Sequence, residues 1–328
     1  MSIKPKMSSS ELGALWMTYH KKTLILRVLE YFIAKSEDQK ANDLMTDLWS
    51  QLNTKIIEIK TLFENEGAAL PEGFTKEDVN LEAPKLWDNG FDIMFARILK
   101  EISMGMYALH LTMSYRPDII KLYSDLSVIT ETAYGQFTQY LLENNLYTRP
   151  TYVTMPKSID YITDKNYLKG TDIIGEKRPL NTVEFGYLYQ TIETNITGMQ
   201  MLKGFIQATN DEDVKQYFTK GRELTKEIIS ETSDKLLQDN IQPPLGTPGG
   251  NVTDSTMAPF SDKLMMFCNH LLSAYATGVG GFTSGFSLRN DLQTKGAIFA
   301  KDIFQYQRNG VKLMISKGWL EEPPKMDL

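Results

Sequence analysis

Apolar residues recur along this chain with a period near 3.6, in long stripes separated by short polar breaks. Leu12, Leu15, Tyr19, Leu26, Leu29 and Ile33 form the first stripe. Ser8, with Glu11 three positions on, opens it in the manner of a capping box, which predicts a helix to about Ala34. After a polar break at residues 35–39, a second stripe runs through Leu44, Met45, Leu48, Trp49, Leu52, Ile56, Ile59 and Phe63, with Gly67 as its stop. A third carries Phe91, Met94, Phe95, Ile98, Ile102, Leu109 and Met113. Arg116-Pro117-Asp118 starts a fourth, with proline in the first turn, and this one continues through Leu122, Leu126, Ile129, Ala133, Phe137 and Leu141 to about Asn145.

The connections say how these helices are arranged. Helices one and two are joined by a few residues, as are three and four, so each pair is expected to be an antiparallel hairpin. Between the hairpins lies a non-periodic segment from Gly67 to about Lys85, containing Pro71, Gly73 and Pro84. Extended, its roughly 18 residues reach about 60 Å, whereas a helix of roughly 27 residues is about 40 Å long. The segment can therefore run the length of a bundle, giving the connectivity of ferritin-like four-helix bundles.

Every element then recurs. Glu11, Gly13, Leu15 and Thr18 reappear 173 positions later as Glu184, Gly186, Leu188 and Thr191, and Gly105, Ser114, Arg116 and Asp118 as Gly278, Ser287, Arg289 and Asp291. A duplicated unit is the simplest account. The expected fold is all-α: two tandem ferritin-like four-helix bundles over residues 1–146 and 181–328, each with its own core, joined by a linker over 147–180. The linker's Tyr152, Val153, Ile159, Tyr161, Ile162, Tyr167, Ile173 and Ile174 predict that it packs on the bundles.

Composition narrows the function classes. With 42% hydrophobic and 23% charged residues and a net charge of −6, the chain has the values of a soluble globular protein. Its lysines and arginines are dispersed among acidic residues, which disfavours nucleic-acid binding. The start, MSIKPKMSSS, lacks the apolar core of a signal peptide, and no apolar run reaches membrane-spanning length, so a cytoplasmic location is expected. The lone Cys268, beside Met266 and Phe267, reads as a packed side chain, and the sixteen methionines read as core filler.

Several strings carry a resemblance. Val79-Asn80-Leu81 with Ala83-Pro84, Lys177-Arg178-Pro179-Leu180-Asn181, Val252-Thr253-Asp254-Ser255-Thr256, the run from Pro259 to Phe267, Ser287-Leu288-Arg289 with Asp291-Leu292, and Gly318-Trp319-Leu320-Glu321 are similar to those of an uncharacterised bacterial family. Its members are tandem ferritin-like proteins related to spore coat protein F, found in spore-formers. The resemblance implies a ferritin-like fold and a link to sporulation. It also implies a histidine in helix two, where this chain has Ile56 and Ile228.

A di-iron site in such a bundle needs inward carboxylates from four helices and Glu-x-x-His on two of them. No Glu-x-x-His occurs here. Glu58 and Glu231 are an identical pair, but a helical wheel sets them well away from the apolar centre, as ion-pair partners. Of the remaining metal candidates, Glu30 and Glu101 have Lys203 and Ala274 as their counterparts, and His20 has no histidine at its matching place. A degenerate iron or manganese site from Glu30, Glu58, Glu101 and His20 is one alternative. A second concerns helix seven, where four glycines cost roughly 1 kcal/mol each relative to alanine. Close helix crossing explains such a run. So does a flat interface or an apolar slot at Gly278, Gly281, Phe282 and Gly285. The leading expectation is a non-catalytic structural or interaction protein without cofactor, capable of self-association or of binding protein partners. By resemblance it is associated with the spore. Ferritin-like metal binding and carriage of a small apolar ligand are the alternatives.

Overall fold

The computed structural model describes residues 5–88, 90–170, 178–244 and 251–326. Among them are eight α-helices and no strand: α1 Ser9–Lys35, α2 Gln39–Glu66, α3 Phe91–Thr112, α4 Pro117–Glu143, α5 Thr182–Ala208, α6 Glu212–Gln238, α7 Asp262–Phe286 and α8 Asn290–Ser316. Helices α1 to α4 make unit one and α5 to α8 unit two. In each, two hairpins pack side by side, with α1 against α3 and α2 against α4, and correspondingly α5 against α7 and α6 against α8.

The caps follow from the sequence. Ser8 and Asn181 accept from the N–H of Glu11 and Glu184, whose carboxylates return to the cap backbone. Gly67 ends α2 at φ 65°, a left-handed conformation that glycine adopts without steric cost.

The units are welded to one another. The two crossover segments pair antiparallel at Val79 with Phe260 and at Trp87 with Val252. Four backbone hydrogen bonds accompany the pairing: Asn80 to Pro259, Ser261 to Asp78, Asp88 to Asn251 and Thr253 to Leu86. Several strings that carry the family resemblance lie in this weld. Trp87 crosses into unit two, donating to the Gln200 carbonyl at 3.0 Å. A Cβ on Gly204 would lie 2.5 Å from the indole, so that position must stay bare. With unit two packed on their outer faces, α1 and α3 are buried nearly all round. The main apolar core is accordingly continuous, running from Leu15 and Phe95 in unit one to Phe205, Met266 and Leu272 in unit two. The expectation of two separate cores is thereby corrected.

The linker also differs from expectation. Tyr152, Ile159 and Tyr161 are 84–86% exposed, and Val153 and Ile162 are exposed too. Between 149 and 164 the chain is irregular, and its apolar residues alternate with Arg149, Lys157, Asp160 and Asp164, so it lies in water rather than on the bundles. Tyr147 and Tyr167, at its two ends, do find partners in Glu193 and Arg178. Ile173, Ile174, Lys177 and Gly246 lie outside the described residues.

Candidate functional site

The duplicated polar residues tie the scaffold together. Arg116 is buried; its guanidinium grips Asp118 at 2.7 and 3.0 Å and pairs with Glu66. Arg289 repeats this with Asp291 at 3.1 and 2.9 Å and Asp239 at 3.1 Å. Glu11 accepts from the backbone N–H groups of Tyr115 and Arg116, and Glu184 from those of Leu288 and Arg289. Although burial opposes ionisation, hydrogen bonds hold both carboxyls below the usual glutamate range, those from Ser8 leading at Glu11 and that from the Arg178 guanidinium at Glu184. Each knot joins a hairpin turn to the start of the unit's first helix, which is structural work.

The interiors differ. Positions 173 apart hold Lys21, Lys22, Tyr107, His110 and Tyr123 in unit one, and Thr194, Asn195, Gly280, Thr283 and Gly296 in unit two. The smaller set lines a cavity of ≈ 50 Å³, whose apolar wall includes Leu188, Ile228, Val279, Leu292, Phe299 and Ile303. A second cavity of ≈ 60 Å³ adjoins it and shares Thr194, Asn195, Ile228, Ala276 and Ile303. On that second wall Asn269 donates to the hydroxyls of Tyr217 and Tyr306, whose rings stack at 4.4 Å. The cavities interrupt the core: Leu188, Ile192, Leu236 and Leu292 form a small cluster apart from the main one. The Thr232 hydroxyl, on the first cavity's wall, has no hydrogen-bond partner.

Close crossing of α7 and α8 accounts for part of the glycine run. A Cβ on Gly280 would meet the Ala300 Cβ at 3.3 Å, and one on Gly296 the Gly280 carbonyl oxygen at 3.4 Å. Gly278, Gly281, Phe282 and Gly285 instead face outward, with open space at each of the three glycines. They do not line the cavity, whose glycines are Gly280 and Gly296. Phe282 stacks on Phe286, and both are exposed. The slot is thus on the opposite face of α7 from the residues the sequence singled out.

A third feature lies between the units. Arg97 and Glu101 on α3, Tyr134 on α4, and Tyr189, Gln190 and Glu193 on α5 line a cleft of ≈ 240 Å³. Arg97 lies over the rings of Tyr134 and Tyr147, 4.6 Å from each centroid, and donates to both hydroxyls. Tyr147 donates in turn to Glu193 at 2.6 Å. Burial pushes the Glu193 carboxyl up to about 7, against the opposing pull of Tyr147 and Arg97. Gln190 and Tyr275 both donate to Glu101.

The four metal candidates do not converge. Glu30 accepts from Arg27 and Trp49, and Glu58 pairs with Lys55 at 2.8 Å on a half-exposed flank. Glu101 is held in the cleft, while His20 bonds Glu321 at 3.0 Å, where the carboxyl-terminal tail meets Gly73. Among the described residues no three His, Cys, Asp or Glu side chains form a group that could hold a metal ion. Sequence reasoning missed the unit-two cavity and the Glu193 pocket. The signal for the first was available, because five bulky residues of one repeat face five small ones in the other.

The family model described as Protein of unknown function (DUF3231) matches residues 1–159 and, again, residues 168–327. The chain belongs to this family. The family's description assigns no activity, so it leaves the interiors as the place to look. Among solved structures, a candidate spore coat protein from Bacillus halodurans C-125 is similar at 21% identity and a TM-score of 0.42, over 46% of this chain and 97% of its own. No curated protein gives a significant match. No helix of the described residues is long and apolar enough to cross a membrane.

Proposed function

We propose that this chain is a non-catalytic scaffold of two ferritin-like units whose second unit takes up a small, mainly apolar molecule. The observation that supports this is the pair of adjoining cavities where unit one carries Lys21, Lys22, Tyr107, His110 and Tyr123. A natural core is packed to near-crystalline density, so a void that splits one of two sister cores calls for an occupant. At about 12 Å³ of cavity per water, the two chambers accommodate on the order of ten non-hydrogen atoms. The Thr232 hydroxyl supplies one hydrogen bond, which suits a short aliphatic or single-ring molecule with one polar group. The outward face of Phe282 and Phe286 is the surface offered for self-association or a protein partner, and the sequence resemblance is what points to the spore.

Xenon-pressurised crystals of the full chain test the reading. Xenon is expected between α5, α7 and α8, with none inside unit one, and Thr194→Leu is expected to abolish the peak. Xenon absent from unit two, or present equally in both units, overturns it. Metal analysis of untagged protein decides the iron or manganese alternative, since a stoichiometric metal would replace the apolar-ligand reading.

A further inference from the structure

Lys21, Lys22 and Lys100 all lie inside unit one with side chains at most 1% exposed. Two of the amines lie over one aromatic ring: the Nζ of Lys21 is 4.2 Å and that of Lys22 4.7 Å from the Tyr107 centroid. Lys100 is on α3 with Tyr107 and acts on both of the other charges. Lys21 finds only the Met106 sulfur, at 3.3 Å, and the Nζ atoms of Lys22 and Lys100 have no hydrogen-bond partner at all. No carboxylate pairs with any of the three, and the charges that act on them are each other's. Unit two has nothing comparable, because its counterparts are Thr194, Asn195 and Ser273.

Buried lysines are ordinarily paired, since an uncompensated ammonium in a dry core is among the costliest groups a fold can carry. Three of them without a counter-charge leave two remedies. Burial, with the neighbouring amines adding to it at Lys21 and Lys22, pushes all three well down, Lys100 to about 7, so protons can be shed, but the neutral amines would still leave N–H donors without acceptors. Cation–π contact with Tyr107 offsets only part of the charge. An anion among the amines neutralises charge and accepts the unmet N–H donors in one step. We propose that the core of unit one binds a small inorganic anion, of chloride size, through Lys21, Lys22 and Lys100. The near-zero exposure of all three side chains excludes a bulky ligand and makes this an anion acquired as the unit folds.

Full-length protein refolded from denaturant in bromide, crystallised and examined by anomalous scattering, tests the site directly. A bromide peak within hydrogen-bond reach of at least two of the three amines is expected. In solution, wild-type protein refolded in chloride should melt several degrees above the same protein refolded in gluconate at equal ionic strength. That difference should vanish in Lys100→Met and in Lys22→Met. A core without a bromide peak, together with equal melting in chloride and gluconate, overturns the proposal and leaves the amines neutral. The wild-type diffraction result stands even where a variant fails to fold.

Discussion

Tyr107 and Gly280 occupy the same place in two copies of one helix, and the interiors around them have parted. Unit one fills its centre with a tyrosine, three lysines and a histidine; unit two leaves it open between Leu188 and Ile303. Their ends did not part. The Arg116 and Arg289 knots take partners from matching positions, down to the backbone carbonyls of Pro5 and Arg178 that each guanidinium also meets, and unit two adds Arg178 on Glu184 and Lys235 on Asp291. A duplicated fold needs its turns and caps in both copies, whereas the middle of either bundle is free to change once the ends and the weld hold it in register.

The sharpest way to break the comparison is to empty unit one. Tyr107→Ala removes a fully buried ring and should cost about 4 kcal/mol in a urea melt, while Gly280→Ala at the twin position should stay within about 1 kcal/mol of wild type. Similar losses from the two would show that the interiors are equivalent after all. Arg116→Met and Arg289→Met each remove a buried guanidinium with its hydrogen bonds to two carboxylates, and each should cost about 3 kcal/mol. Equal costs support a shared structural role, and a clear inequality would assign one knot something more. Thr232→Val removes an unpartnered hydroxyl from the cavity wall and should stabilise the ligand-free protein by about 1 kcal/mol in thermal melts, while weakening a ligand that hydrogen-bonds there.

The last effect is a pH slope. Glu193 is raised from 4.5 to about 7 in the folded protein. Between these values the unfolded chain gives up the proton while the folded one keeps it, so this group's contribution is complete below pH 4.5 and is lost as pH rises through 7. Glu193→Gln should flatten that decline. His110 has the opposite sign, because burial lowers it from 6.5 to about 4. Its contribution is complete above pH 6.5 and is lost as pH falls through 4. Thr283, its twin, does not titrate, so His110→Gln should change acid stability through unit one alone. Melting temperatures across pH 4–8 for both variants check the two signs.

Helix boundaries were legible to within a residue or two at nearly every end, because Ser8, Gly67, Pro117, Asn181 and Arg289 mark them with local chemistry. The Glu58 flank position was legible as well, from the helical wheel. Burial of Lys21 and Lys22 was not. Their amines are enclosed by Tyr107 and Met106 of α3, some 85 residues along the chain, which no local pattern in α1 announces. Glu101 was singled out from its place at the edge of a stripe, yet its actual partners, Gln190 and Tyr275, lie about 90 and 174 residues away and belong to the other unit. The linker failed in the reverse sense. Its tyrosines and isoleucines carry no periodic signal, and apolar content alone does not say whether a surface exists for them to cover.

Local order was therefore written in the residues themselves: eight helices, their caps, their hairpin pairing and the duplication all follow from interactions spanning a few positions. Which helix faces are interior, whether the cores join, and where charge or empty space is trapped depend on contacts between segments more than a hundred residues apart. Those contacts exist only after the crossovers pair and α1 and α3 are closed in between the units. Short-range rules could specify the two bundles, but the lysine cluster, the Glu193 cleft and the unit-two cavity came into being when the chain packed.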